Sequence, residues 1–178
     1  RFADDVEQVV ILSPDKDMAQ CITGQSVVGY DRCKKAFVDE AGVWEKFGVA
    51  PESIPDYLGL VGDTADGFPG LSGWGAKSAS LVLARYRHIE QIPLRSGLWE
   101  VEVRGAERLV ETLRANLAEA LLFRFLAVLR RDVPLTETLV DLEWSGVLRE
   151  PFLEFCDRYG FGSLRERPSR WIDQESAG

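Results

Sequence analysis

The stretch from Leu60 to Ser78, LVGDTADGFPGLSGWGAKS, constrains this chain more than any other. Asp63 and Asp66 lie three positions apart in a segment kept irregular by Gly67, Pro69 and Gly70, so both can turn toward one hard cation. Gly70, Gly73 and Gly75 then make a turn with no Cβ atoms to obstruct it, and it feeds an amphipathic run from Ala76 to Arg85. Backbone N–H groups at such a turn and helix start form a concave donor site for a phosphate, with the Lys77 charge beside it. A solvated Asp/Gly turn is the plain alternative. A Walker-type nucleotide loop is rejected, because Ala76 separates Gly75 from Lys77 and no β-type run precedes Gly70.

The chain around this stretch is ordinary in bulk. Its 178 residues are 46% hydrophobic and 28% charged, enough for one good core or two small ones. No run approaches the length of a membrane span, and Arg1-Phe2-Ala3-Asp4-Asp5 lacks a signal-peptide profile and a starting Met. The expectation is therefore a chain that starts inside a longer protein or after processing. Cys21, Cys33 and Cys156 have no paired spacing and read as reduced, intracellular thiols. The net charge of −8 is unevenly spread. Between Trp74 and Arg131 ten Lys and Arg face six Glu, so a basic section begins where the turn begins, whereas both flanks are acidic.

Upstream, Gln8–Ser13 is a short apolar run that reads as a buried parallel strand, with Asp15 and Asp17 at its C-terminal end, where ligands sit in open α/β sheets. Asp15, Asp17, Asp63 and Asp66 together are more negative charge than a structural loop gathers without a cation. Asp4 and Asp5 precede the strand, about 20 Å from its other end, and read as solvated. Residues 26–38 suggest a hairpin turned near Asp31-Arg32. Asp39 caps a helix through Phe47 stopped by Gly48, and a second helix runs from Pro51 to Val61. Trp44, Phe47, Tyr57 and Leu60 have the helical spacing of core residues. His88, the one histidine, excludes His-based triads and multi-His metal sites. Residues 106–131 form one or two helices with a large apolar set that includes Leu109, Leu113, Leu122, Phe125 and Leu126, and Ser169–Gly178 reads as a loose tail.

The joined pattern G-D-x-x-D-G-x-P-G-x-x-G-x-G-x-K-S resembles the signature of the 5′–3′ exonuclease and flap endonuclease family, the kind of domain found at the front of bacterial DNA polymerase I. Strand, D-K-D and Met18-Ala19-Gln20 are similar to another family element, as are Leu126–Leu135 and the segments Phe152–Phe155 and Phe161–Leu164. The likeness thus runs from about Val9 to Leu164. Two departures are Gly67, where the family commonly has Asn, and Trp74, where it has a small aliphatic residue.

The resemblance implies an α/β chain with a mainly helical second half, the C-terminal part of a PIN-like 5′ nuclease fold plus a helix-hairpin-helix subdomain. Residues 1–62 would be partial nuclease core, 63–135 metal loop and DNA-binding helices, and 136–178 a closing helix and tail. It implies Asp15, Asp17, Asp63 and Asp66 as metal-holding catalytic residues for Mg2+ or Mn2+. Gly70, Ser72, Gly73, Gly75, Lys77 and Ser78 would bind DNA through phosphates, with K+ at the hairpin. The partner would be DNA with a 5′ end or flap, with a polymerase in the parent system, in the cytoplasm at the bacterial nucleoid. The family's second ion site and helical arch are expected ahead of Arg1. Three readings follow: a divalent-metal phosphodiesterase on 5′-ended DNA, a non-catalytic helix-hairpin-helix DNA-binding module, and a protein-interaction domain whose acidic loops are only surface. Cleavage in magnesium separates the first two, and salt-sensitive duplex binding the last two.

Overall fold

Pro14 has no N–H to continue a ladder, and the apolar run before it forms only a three-residue strand, β1 (Val9–Ile11). The computed structural model, which describes residues 1–172, pairs β1 in parallel with β2 (Val27–Asp31), and β2 antiparallel with β3 (Ala36–Val38). Within this sheet β1 has a neighbour on one side only, and Val10 is 44% exposed rather than buried as its run suggests. The β2–β3 turn is held by the Asp31 carboxylate, which accepts the N–H groups of Cys33 and Lys34 at 2.8 and 3.0 Å.

Helix α1 (Glu40–Phe47) starts where Asp39 accepts the Gly42 N–H at 3.0 Å and stops at Gly48, as its sequence implies. A 3-10 turn at Pro51–Ser53 leads into α2 (Ile54–Val61). Phe47 and Tyr57 pack edge to face at 5.7 Å, but Trp44, expected in the core, is exposed. Helix α1 buries a narrow face through Val43, and Trp44 is the next residue round.

Three further helices follow: α3 (Ala76–Tyr86), α4 (Ala106–Ala115) and α5 (Leu117–Ala127), the last two separated at Asn116. One core joins Ile54, Leu58, Leu60, Leu83, Leu109 and Leu113, each worth about 1.5–3 kcal/mol in burial. Helix α2 crosses α5 so closely that a Cβ on Gly59 would lie 3.0 Å from the Ala120 carbonyl oxygen. The parts read from sequence as 1–62 and 63–135 therefore share one core, and the chain divides into units Arg1–Asp132 and Val133–Gly178. Because α5 meets the core through the small Ala120 and Ala127, Leu122, Phe125 and Leu126 point outward, against the expectation that they are core.

In the second unit, β4 (Val147–Leu148) runs parallel to β5 (Trp171–Ile172), with α6 (Arg149–Tyr159) between them in the chain. Phe152 meets Trp171 edge to face at 5.7 Å. Residues 171 and 172 thus belong to a strand, not to the loose tail read from Ser169 onward; residues 173–178 lie outside the described residues. No helix among the described residues is long and apolar enough to cross a membrane.

What positions the site is a backbone crossing. Gly62 (φ 88°) and Gly70 (φ 68°) pass so close that a Cβ on Gly70 would lie 2.4 Å from the Gly62 nitrogen, and one on Gly62 2.4 Å from the Pro69 carbonyl carbon. Above the crossing, Asp63 and Phe68 exchange backbone hydrogen bonds of 2.9 and 3.1 Å; below it the Leu71 N–H reaches the Leu60 carbonyl at 2.8 Å. Phe68 is buried and stacks on Phe123 at 5.8 Å. Gly67 also has positive φ, 81°, but open space where its Cβ would be, a position Asn can take. Gly70→Ala should lose at least about 3 kcal/mol of stability in urea unfolding. Gly67→Asn should stay within about 1 kcal/mol of the parent. Equal losses at the two positions would contradict the crossing.

Candidate metal centre and nucleic-acid interface

The closed loop 63–68 carries two of the acidic residues, and a 3-10 helix at Lys16–Cys21 carries another. Asp15 caps that helix by accepting the Asp17 N–H at 3.1 Å. Its far end is tied to the end of α5: the Gln20 side-chain amide donates to Ala127 O at 2.9 Å and accepts from Leu129 N–H at 3.0 Å. These ties bring Asp17, Asp63 and Asp66 together, with one carboxylate oxygen from each within 4.8 Å of the others. Asp17 and Asp63 are buried and Asp66 is exposed.

The group is unbalanced. Asp63 Oδ1 accepts the Ala65 N–H at 3.0 Å, and its other oxygen is paired with the Lys16 ammonium, which holds the carboxyl below the usual range. Asp17 Oδ1 is buried with no hydrogen-bond partner. Burial first, and then the Asp15, Asp66 and Asp63 carboxylates, push Asp17 up to about 6. A buried carboxylate that has one oxygen without a donor and is grouped with two more carboxylates fits a hard divalent cation taking oxygen ligands. Asp15 is not a member of the group: its Oδ1 serves the cap, so three of the four residues read from sequence converge. Asp4 and Asp5 are exposed and stand outside it. Lys16 stands between Asp15 and Asp17, and nothing local in the sequence points to its partner Asp63.

Directly after the crossing comes the hairpin. Trp74 is buried, its indole N–H donates to Leu109 O at 3.2 Å, and its ring lies 6.2 Å from that of Trp99. Trp74 thus fastens the hairpin to α4. Ser78 Oγ accepts the Gly75 N–H and donates to the Gly75 carbonyl, both at 3.0 Å, closing the start of α3, so the Gly75 N–H and the Ser78 hydroxyl are engaged within the turn. Gly70 serves the crossing. Ser72, Gly73 and Lys77 remain exposed, and the first turn of α3 leaves N–H groups without helical partners. The basic section is also thinner than its count. Arg85, Arg87, Arg124 and Arg130 pair with carboxylates, and Arg114 binds Leu94 O. Lys77, Arg95, Arg104, Arg108 and Arg131 are exposed and make no ion pair among the described residues.

A buried polar anchor also escaped the sequence reading. Asp56, inside α2, accepts the Ile89 N–H and meets His88 Nδ1, both at 3.0 Å, and lies 3.4 Å from Arg124, which also pairs with Glu90 at 2.6 Å. His88 is therefore structural. In sequence Asp56 is one charge in an apolar helix, with no local signal of its partners.

A converging acidic group built from a 3-10 helix and a closed loop, followed at once in the chain by a helical hairpin, marks an α/β–helical domain with a candidate metal centre. A family profile described as 5′-3′ exonuclease, C-terminal SAM fold, matches residues 49–150. The chain belongs to the 5′–3′ exonuclease family. It is 34% identical over 165 residues to DNA polymerase I of Bacillus caldotenax, covering 90% of this chain and 18% of that protein. It is 41% identical over 92 residues to a 5′-3′ exonuclease of Aquifex aeolicus, 52% of this chain and 32% of that protein. The chain spans less than a fifth of the polymerase relative. A T5 5′-exonuclease structure with bound divalent zinc shares the fold with a TM-score of 0.58 at 16% identity, over 71% of this chain and 45% of that one. A bacteriophage T5 flap endonuclease complex with DNA and metal ions does so with 0.54 at 20% identity, over 70% and 43%.

Asp17 supplies a test in EDTA. A carboxyl raised to about 6 in the fold costs nothing below its unfolded value of 3.8, and its cost grows through that window to full size above it. Relative to the parent, Asp17→Asn should therefore gain on the order of 2 kcal/mol between pH 4 and pH 7. The same difference at both pH values in urea unfolding would mean that Asp17 is not crowded.

Proposed function

We propose that this chain is the DNA-gripping and metal-holding part of a 5′–3′ exonuclease or flap endonuclease, a phosphodiesterase that acts on DNA with a 5′ end. The observation that carries the reading is the unpartnered Asp17 Oδ1 inside a converging carboxylate group, one crossing away from an exposed hairpin. Asp17, Asp63 and Asp66 would hold Mg2+ or Mn2+, with Asp15 orienting Asp17 from the cap. Such an ion generates a nucleophile from water and offsets charge on the scissile phosphate. Main-chain N–H groups at the hairpin, with Ser72, Gly73 and Lys77, would bind phosphates, and K+ is a candidate there. Phosphate contacts carry no base information, so binding is independent of sequence. The polymerase relatives support a setting in DNA replication and repair, with a polymerase attached or alongside; the bacterial cytoplasm is part of the proposal.

Three carboxylates suit one ion, whereas a two-ion clamp on attacking and leaving oxygens needs more ligands than this group has. The purified chain is therefore expected to bind 5′-flapped duplex and to cut it slowly in Mg2+, the cut lost in Asp63→Asn. Lys77→Ala should weaken binding to unrelated duplexes by similar factors and reduce the salt slope by about 1. Binding without any cleavage favours the non-catalytic module. A sequence-selective loss in Lys77→Ala contradicts the phosphate grip.

A further inference from the structure

Lys16 stands between the acidic residues in sequence and against one of them in space. Its ammonium pairs with Asp63, whose side chain is 3% exposed, while the Lys16 side chain is 42% exposed. One end of the pair is therefore fixed by burial and by the Ala65 N–H, and the other is a flexible stem at the solvent boundary. The ammonium satisfies Asp63 but leaves Asp17 Oδ1 without a partner, although both carboxylates belong to one group. A divalent ion set among the three oxygens would serve all of them. It could not share Asp63 with an ammonium without like-charge repulsion.

We propose that Lys16 is a tethered counter-ion of the acidic group: its ammonium holds Asp63 in the metal-free protein and is displaced into solvent when a divalent ion binds. This rests on the metal reading above. Lys16 thereby keeps loop 63–68 docked on the Lys16–Cys21 helix while no ion is present. It also sets how tightly the ion binds, because the ion has to break the pair.

Calorimetric titration with Mn2+ tests this, together with melting in EDTA. Lys16→Met should melt lower than the parent in EDTA and bind Mn2+ roughly 3- to 10-fold more tightly, the pair being half-exposed. Lys16→Arg, which keeps the charge, should stay near the parent in both. Mn2+ affinity in Lys16→Met equal to or weaker than the parent's overturns the proposal and leaves the metal reading standing. No Mn2+ binding by any of the three proteins overturns the metal reading and the counter-ion with it. A second test uses the parent alone. The Lys16 ammonium resonance should be protected from exchange in EDTA and lose that protection at saturating Ca2+. Protection that survives Ca2+ binding overturns displacement.

Discussion

The contact of two backbones at Gly62 and Gly70 is what the rest of the site depends on. It closes residues 63–68 into a loop, stacks Phe68 on Phe123, and sends the chain straight into the hairpin. No side chain could occupy either position, because the neighbouring atoms are main chain and cannot yield. Metal loop and hairpin are consequently one geometric unit. Trp74 extends that unit to α4, and Gln20 joins it to the end of α5.

The electrostatic consequence is a site in tension. Burial of Asp17 and Asp63 raises the cost of their charge, and proximity adds repulsion. The fold relieves this unevenly: Asp63 has a backbone donor and an ammonium, and Asp17 Oδ1 has nothing. A fold keeps such an arrangement at a loss of stability when binding recovers it. The hairpin is the opposite case. Its serine cap and its buried tryptophan are each satisfied within the fold.

The site was legible in sequence where local pattern carries it. The Asp39 cap, the Gly48 stop and the β2–β3 turn need only neighbours a few residues apart, and so does the Asp63–Asp66 loop. The glycines at 70, 73 and 75 marked the hairpin, whereas Gly62 entered only as the first letter of the family pattern, because its need for a missing Cβ arises from Pro69 across the crossing. Long-range partners were invisible for the same reason. Asp56 meets residues 32 to 68 positions away, and Lys16 meets Asp63. Trp44 and Phe125 were misplaced because helical spacing says which residues share a face, and packing decides which face is buried. Asp15 and Asp17 look equivalent in D-K-D, yet one helix start makes Asp15 the cap and turns Asp17 inward.

The central claim is that the crossing gathers Asp17, Asp63 and Asp66 to hold a single divalent ion. Anomalous scattering from crystals soaked in Mn2+ addresses it most directly. The account predicts one strong peak about 2.0–2.6 Å from carboxylate oxygens of all three residues. A protein without a peak there, or with its peak at Asp4 and Asp5, contradicts the account.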